Sequence, residues 1–369
     1  MEDSDLRRVC ESFVAADAIC EISELGHGLI NNTFLVTTSS SGGDRFVLQK
    51  INQQVFSQPH KMLDNFIALT EHVRKYEKSG TLGNRQFYLP ELKKTRCGKY
   101  CVFDDNMGFW RAMDCIEGSM TLNAVCSMQD AEEVGFALGH FHRLIHDLDI
   151  QSLHDTLPGF HITPRILQEF FAVFEQSKCS TESPEFIACL EYIQRWKHRV
   201  DVLENAKRLG KLHLRPIHGD PKLNNILFDV TTRRAKSIID LDTVKPGLIH
   251  YDIGDCLRSA CNSTNKSSDS VVFDIDICEA ILGQYLNECS EFLGLHDFDF
   301  IYDAIHLIPY ELGLRFLTDY LEGNHYFKIS YAEENLFRAL NQFRLTESIE
   351  NSQQAIRKLV MKFSSVYID

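Results

Sequence analysis

The sequence carries one dense group of polar side chains, in the segment HGDPKLNNILFD that begins at His218. Asp220, Lys222 and Asn225 lie close together there, between the apolar runs LRPI and ILFD. Short apolar runs of this kind are typical of buried strands, so the polar residues are predicted to form a loop between two buried elements. Because a buried loop must satisfy its own backbone polar groups, such a loop needs a functional reason.

A second segment, AKSIIDLDTVKPG, follows and contains a short apolar strand that ends at Asp240. Together the two segments hold the groups that phosphoryl transfer requires. Asp220 could orient an attacking hydroxyl or accept its proton, and Lys222 could neutralise charge on the transferred phosphoryl group. Asn225 and Asp240 offer hard oxygen ligands of the kind that Mg²⁺ prefers.

The elements that must position these residues fall into two groups along the chain. The first hundred residues show strand patterns, with an alternating run in ISELGHGLINNTFLVTT, a hairpin to GGDRFVLQKIN and two strands in YCVFDDNMGFWRAMD. From about residue 130 the apolar spacing is mainly helical. The pattern predicts an α+β fold with a small β-rich N-terminal lobe (1–115) and a larger α-helical C-terminal lobe (116–369). The cleft between two such lobes is the expected ligand site.

The amino-acid composition of the chain limits the kinds of partner that it can bind. The net charge of −14 argues against nucleic acid as a partner, although a phosphorylated ligand can still be held by backbone amides and a metal. The twelve cysteines are scattered without the spacing of a zinc site, and the N-terminus MEDSDLRRVC lacks the apolar segment of a secretory leader. No apolar run approaches the roughly 20 residues of a membrane span. These features predict a cytoplasmic protein with no membrane partner.

The segment HGDPKLNN resembles the protein-kinase catalytic loop H-R-D-x-K-x-x-N. Its H-G-D form, followed further on by I-D-L, is similar to the aminoglycoside phosphotransferase and choline kinase superfamily. The resemblance implies a protein-kinase-like two-lobed fold, ATP as phosphate donor and Mg²⁺ as metal. It makes Asp220 the catalytic aspartate, makes Asn225 and Asp240 the metal ligands, and gives His218 and Asp252 supporting roles in the loop.

By the same resemblance the N-terminal lobe binds the nucleotide. LGHGLINNTFLV stands where a kinase has its glycine-rich loop, but it lacks the GxGxxG pattern and could equally be a plain hairpin turn. Gln49 stands where the phosphate-binding lysine is expected, and Lys50 faces the opposite side of the strand. RAMDCIEG would be the hinge whose backbone reaches the adenine. The residues assigned to the nucleotide are Gly28, Asn31, Asn32, Thr33, Gln49, Asp114 and Ile116.

Within the superfamily, HGDPKLNNILFD, AKSIIDLDTVKPG and LRFLTDYLEGNHYF resemble the N-acetylhexosamine 1-kinases. The implied acceptor is the anomeric hydroxyl of N-acetylglucosamine or N-acetylgalactosamine, and the implied pocket residues are Arg315 and Tyr326. An arginine fork and a tyrosine hydroxyl suit a neutral sugar. Alternatively, Arg315 forms a salt bridge with Glu311 or Asp319 at helical spacing, and Tyr326 packs in the core. Asp242 and Glu311 are further candidates for substrate contact.

Two other functions stay open from the sequence. The first keeps the chemistry and takes an amine-bearing alcohol, such as choline, homoserine or an aminoglycoside, as the acceptor. The second is a nucleotide-binding pseudokinase, supported by Gln49 and the poor glycine loop. Carboxylates that could attract a cationic acceptor stand at Asp303, Glu311, Asp319, Glu322, Glu333 and Glu334.

Overall fold

The computed structural model describes residues 3–26, 30–39, 44–79, 85–104, 107–177, 183–264 and 271–367. Its N-terminal part is a six-stranded antiparallel sheet with two helices. Its elements are α1 (Asp3–Cys10), β1 (Ile19–Glu24), β2 (Asn32–Thr38), β3 (Arg45–Ile51), α2 (Pro59–Ser79), β4 (Leu92–Lys93), β5 (Val102–Asp104) and β6 (Gly108–Asp114).

The sheet has the order β1-β2-β3-β6-β4, and β5 pairs with β6. The β2–β3 and β5–β6 hairpins are those that the sequence pattern predicted. One face packs against α1 through an apolar cluster that includes Phe34, Leu48 and Trp110. Neighbouring residues of a strand face opposite sides, so Gln49 and Arg111, which are paired in register, point to the other face.

The C-terminal part is mainly helical. Its elements are β7 (Ser119–Met120), α3 (Met128–Ile145), α4 (Thr163–Gln176), α5 (Pro184–Trp196), α6 (Val202–Arg208), β8 (Arg215–Ile217), β9 (Ile226–Asp229), β10 (Ala235–Ile238), β11 (Lys245–Gly247), α7 (Ile249–Ala260), β12 (Asn262–Thr264), β13 (Val271–Phe273), α8 (Ile275–Cys289), α9 (Leu295–Asp299), α10 (Ile301–Glu322), α11 (Glu334–Asn351) and α12 (Gln353–Tyr367).

Two large apolar clusters hold the C-terminal helices together. One lies between α3 and α8 and includes the apolar face of α2, and the other joins α4 and α5 to α10 and α11. The short strands of this part form the ladders β7–β9–β10 and β8–β11. The arrangement confirms the predicted α+β class, with a β-rich N-terminal lobe and an α-helical C-terminal lobe. We propose that the lobes divide between residues 115 and 116, because the six-stranded sheet ends at Asp114 and β7 already pairs with β9.

Two observations bear on the environment of the chain. None of the helices within the described ranges is long and apolar enough to cross a bilayer. The cysteines in these ranges are free thiols, among them Cys256 and Cys278 in the core and Cys97 at the surface.

Candidate active site

Two short β-ladders present the polar residues that the sequence singled out. The 218–225 loop leaves β8, which pairs with β11, and enters β9, which pairs with β10. The backbone N–H of Ile239 donates to the carbonyl of Asn225 at 2.8 Å. Asn225 and Asp240 therefore lie together at one end of the β9–β10 hairpin, and Asp220 lies on the loop that leads into it.

Asp252, in the first turn of α7, holds the start of this loop from below. Its carboxylate accepts the backbone N–H groups of His218 at 2.6 Å and Gly219 at 2.8 Å, and Nε2 of His142 at 2.8 Å. Burial acts to raise the pKa of Asp252, but these hydrogen bonds and the His142 ring outweigh burial and lower it. Asp252 is thus a buried, ionised support for the loop, as the resemblance implied.

His218 joins the loop to the segment that carries Asp240. The backbone N–H of Asp220 donates to its Nδ1 at 3.2 Å, and its Nε2 faces the carbonyl of Ile239 at 3.0 Å. The ring therefore carries its proton on Nε2 and is neutral, in agreement with a pKa that burial lowers. A neutral buried imidazole of this kind fixes loop geometry and is not placed for proton transfer.

Gly219 has a left-handed backbone conformation and lies very close to Thr243, so replacing it should have a measurable effect. Its φ is +85°, and an added Cβ would lie 2.6 Å from the carbonyl oxygen of Thr243. Left-handed strain and the clash together are expected to make Gly219→Ala destabilising by about 2–4 kcal/mol and to displace Asp220. Urea denaturation and steady-state turnover measure the two effects.

Gly210 offers the matched control. Its φ is +71°, and an added Cβ there has no atom within 4 Å. Gly210→Ala should therefore show only the strain, about 1–2 kcal/mol, and normal turnover. Equal stability and equal turnover of the two variants would contradict the role given to the close approach at Gly219.

Asp220 and Lys222 form an ion pair at the exposed edge of the loop. Their side chains are 26% and 35% exposed, which leaves both within reach of a ligand. Nδ2 of Asn225 donates to the carbonyl of Asp220 at 2.7 Å and to its Oδ2 at 3.2 Å. Burial acts to raise the pKa of Asp220, but the charge and hydrogen bond of Lys222 lower it overall. Asp220 is therefore a carboxylate at neutral pH, able to accept a hydrogen bond or a proton.

Asp240 and Asn225 fit a shared Mg²⁺ site. Asp240 has φ +66°, an uncommon backbone conformation for a residue other than glycine and one often found at functional sites. Burial above all, and then the charge of Asp242, raise the pKa of Asp240 to about 7. A bound cation would favour the ionised form of this carboxylate. The described residues include no group of three or more His, Cys, Asp or Glu side chains that would cage a metal. Two protein ligands suit Mg²⁺, which usually takes its remaining ligands from phosphates and water.

Three of the residues that the resemblance assigns to the nucleotide belong to a hydrogen-bond network that the sequence did not reveal. Nε2 of Gln49 donates to Oγ1 of Thr33 at 3.0 Å, and its Oε1 accepts Nε and Nη2 of Arg111 at 3.1 and 2.7 Å. Arg111 also donates to Asp242, whose other oxygen accepts Nδ2 of Asn31 at 2.8 Å. The one sequence signal was an arginine inside the apolar strand GFWRAMD.

The remaining residues assigned to the nucleotide differ in what they contact. Oδ1 of Asn32 accepts Nζ of Lys328 at 3.2 Å. At the predicted hinge, the N–H of Asp114 donates to the carbonyl of Glu91 at 3.0 Å, and the carbonyl of Ile116 accepts from Ser119. These two groups are engaged within the protein, so contact with the adenine there stays a prediction. Gly28 lies outside the described residues.

Arg315 and Tyr326 lie together, as the resemblance implied. Nη2 of Arg315 is 3.4 Å from the hydroxyl of Tyr326. The guanidinium also lies over the ring of Phe160 at 4.8 Å and near those of Tyr326 and Phe327, both at 5.5 Å. Neither predicted salt bridge of Arg315 is formed, because Asp319 instead accepts the backbone N–H groups of residues 325–327 and Glu311 has other partners.

Glu311 connects this cluster to the 218–225 loop. Its carboxylate receives Nδ1 of His161 at 2.9 Å and Oγ1 of Thr163 at 2.7 Å, and Nε2 of His161 faces the carbonyl of Gly219 at 2.8 Å. Both ring nitrogens of His161 face acceptors, so the ring is protonated. Burial alone would lower its pKa, but the charge of Glu311 raises it.

Two predicted substrate contacts need correction. Asp242 and Glu311 are only 2% and 1% exposed, and each carboxylate is hydrogen-bonded on both oxygens. They are therefore unavailable to an acceptor. Asp242 instead binds Arg111 of the sheet, and Glu311 is connected through His161 to the 218–225 loop. The spacing of acidic residues in a sequence does not show which of them are buried, and this is why the prediction failed.

A profile of the family described as APH, the phosphotransferase enzyme family, matches residues 21–273. This span includes most of the N-terminal sheet, the 218–225 loop and α7, and it is more than half of the chain. The chain belongs to the phosphotransferase enzyme family. The predicted membership of the wider superfamily is confirmed.

Solved structures share the fold of this phosphotransferase. A microcompartment-associated aminopropanol kinase is 16% identical with a TM-score of 0.65, over 95% of this chain and 98% of that one. An aminoglycoside phosphotransferase from Alicyclobacillus acidocaldarius is 14% identical with a TM-score of 0.63, over 96% of both chains. Choline kinase from Cryptosporidium parvum is 14% identical with a TM-score of 0.59, over 100% of both. Identities this low show the fold alone, and they confirm the kinase-like two-lobed fold. The narrower resemblance to N-acetylhexosamine 1-kinases stays a prediction.

Proposed function

We propose that this phosphotransferase moves the γ-phosphate of ATP to a hydroxyl group of a small neutral molecule. The observation that carries the proposal is the ionised Asp220, paired with Lys222 and held by Asn225 at the exposed edge of the loop. The favoured acceptor is N-acetylglucosamine or N-acetylgalactosamine, phosphorylated at its anomeric hydroxyl to give the sugar 1-phosphate.

The proposed reaction uses these groups in turn. Asp220 accepts a hydrogen bond from the acceptor hydroxyl and takes its proton as the new O–P bond forms. The bond between the γ-phosphorus and its bridging oxygen breaks, and ADP leaves with the electron pair. Lys222 offsets charge that develops at the transferred group. Asn225 and Asp240 would hold Mg²⁺, which when bound neutralises charge on the phosphates.

The positive charge of Arg315, which lies among three aromatic rings, supports the preference for a neutral acceptor. Cationic acceptors are recognised by aromatic rings or free carboxylates, and here the rings of Phe160, Tyr326 and Phe327 already surround a guanidinium. A second cation at this cluster would be repelled, whereas a sugar hydroxyl or acetamide carbonyl would accept hydrogen bonds from it.

Most of the carboxylates that could have attracted an amine are neutralised or hydrogen-bonded. Asp303 is paired with Arg199 at 3.1 Å, and Glu334 is paired with Arg338. Asp319 accepts Nδ2 of Asn335 at 2.8 Å as well as backbone amides. An amine-bearing alcohol is the second candidate acceptor, favoured by the names of the structural neighbours, which include an aminopropanol kinase and a choline kinase.

Removal of the arginine fork tests the acceptor site. Arg315→Met is expected to raise the KM for N-acetylglucosamine by about 10- to 100-fold, because hydrogen bonds from a charged donor contribute roughly 1.5–3 kcal/mol. The KM for ATP should change little. Arg195→Met is the matched control, since Arg195 of α5 pairs with Glu347 and Glu350 of α11, and it should leave both KM values unchanged. An unchanged sugar KM in Arg315→Met would remove Arg315 from the acceptor site.

An assay of ADP release with Mg-ATP tests the function itself. The acceptor panel contains N-acetylglucosamine, N-acetylgalactosamine, glucose, galactose, choline, homoserine and kanamycin. Turnover with the N-acetyl sugars supports the proposal, and turnover with the amines alone replaces it with the second candidate. Mg-ADP that raises the Tm, without ADP release for any acceptor, would instead indicate the pseudokinase.

A further inference from the structure

The nucleotide lobe has a buried cation that contacts the segment following Asp240. Arg111 and Asp242 are 1% and 2% exposed and form an ion pair. Among the described residues, no other pair of a lysine or arginine with a carboxylate is buried to this degree on both sides. Burying two charges costs more in desolvation than a surface pair does, so a pair kept in the interior is often one that fixes a particular geometry.

The pair is held on the sheet side by Gln49. This residue occupies the strand position where the family resemblance places a phosphate-binding lysine, and it pairs in register with Arg111. Its carbonyl oxygen accepts the Nε and Nη2 edge of the guanidinium, and its amide is held by Thr33. Gln49 therefore places no cation on β3 and instead orients the guanidinium that comes from β6.

The pair is held on the other side by the turn at residues 241–243. Asp242 lies in this turn and is also bound by Asn31, whose own Oδ1 accepts the N–H of Asn52 at 3.0 Å. Asp240 begins the turn in its left-handed conformation, which persists only where the surroundings hold it. The sheet therefore contacts this turn at Asp242, two residues after Asp240, whose carboxylate would bind Mg²⁺.

We propose that Arg111 is a positioning residue whose ion pair with Asp242 couples the nucleotide-binding sheet to the metal-binding turn. The inference rests on the proposed function for the identity of the metal site. In this arrangement Arg111 acts through Asp242 on Asp240. Loss of the pair should weaken the response to Mg²⁺ and leave the acceptor site intact.

The test measures the affinity for ADP by calorimetry with and without Mg²⁺. The variants Arg111→Gln and Asp242→Asn are compared with wild type, together with the double variant R111Q/D242N. Each glutamine or asparagine variant should lose about 10- to 100-fold of the enhancement that Mg²⁺ gives to ADP affinity, as supporting residues of metal ligands do. Metal-free ADP affinity and the KM for the acceptor should change little. The double variant should resemble the single ones, because both remove the same pair.

Arg199→Gln is the matched control. Arg199 pairs with Asp303 at 3.1 Å in the helical lobe, so this variant should lower the Tm and keep the full Mg²⁺ enhancement. The inference is overturned if Arg111→Gln and Asp242→Asn keep that enhancement, or if their losses multiply in the double variant. A wild-type protein without any Mg²⁺ enhancement would refute the proposed function as well. Since no acceptor is needed for the binding measurement, the wrong choice of sugar cannot produce either result.

Discussion

Asp220→Asn is expected to reduce turnover by about 10³-fold, because a positioned general base contributes typically 10²- to 10⁴-fold to rate. The asparagine retains the size of the side chain but cannot take a proton. The loop should keep its shape, since the backbone of Asp220 is held by His218 and Asn225 independently of the carboxylate. The affinity for Mg-ADP should therefore stay close to that of wild type, and calorimetry with the purified variant measures it beside the turnover.

A surface aspartate provides the control for this variant. Asp299 is 62% exposed, and its carboxylate pairs with the exposed surface residue His296 at 3.1 Å. Asp299→Asn should have wild-type turnover. Retained activity in Asp220→Asn would remove Asp220 from the reaction, whereas a combined loss of activity and Mg-ADP affinity would show that its role is in binding.

Asp252→Asn should have the largest effect on folding. The carboxylate of Asp252 accepts three hydrogen bonds in the interior, and an asparagine offers one oxygen and turns an N–H₂ group toward the remaining donors. The expected loss is about 3–5 kcal/mol in the free energy of unfolding, the range for breaking a buried charged network. Turnover should fall too, because the 218–225 loop loses its anchor. Urea denaturation at neutral pH measures the stability.

The stability lost in Asp252→Asn should become smaller as the pH falls. The folded-state pKa of Asp252 lies below its ordinary value, so its stabilising contribution is present above the unfolded pKa of about 3.9 and disappears as the pH falls through the lower folded value. Wild type and Asp252→Asn should therefore become more alike in stability at acid pH. Asp274→Asn is the control, since Asp274 caps α8 and asparagine caps helices equally well. Equal small losses in the two variants would contradict the anchoring role.

Local sequence patterns were enough to predict the elements that build the candidate site. The apolar runs on either side of HGDPKLNN became β8 and β9, and the strand before Asp240 became β10. Because β9 and β10 form a hairpin, the two residues at its end come together without any long-range packing. This is why the grouping of Asn225 with Asp240 could be predicted.

The contacts that could not be predicted all join distant parts of the chain. Arg111 contacts Asp242 because β6 pairs with β3 in the sheet and the sheet packs against the turn at 241–243. His161 reaches both Glu311 and Gly219 through packing between α10 and the loop. Neither residue stands in a local pattern that indicates its partner. The same limit explains the incorrect prediction for Asp242 and Glu311, whose burial depends on these contacts.

A single competition reaction followed by ³¹P NMR tests the role of Asp220 and the choice of acceptor together. The protein receives Mg-ATP with equal concentrations of N-acetylglucosamine, N-acetylgalactosamine, ethanolamine, choline and kanamycin. We predict that ADP appears together with an N-acetylhexosamine 1-phosphate, and that both signals are absent with Asp220→Asn. Phosphorylation of an amine-bearing acceptor, with the sugars unchanged, would contradict the neutral acceptor site at Arg315 and Tyr326.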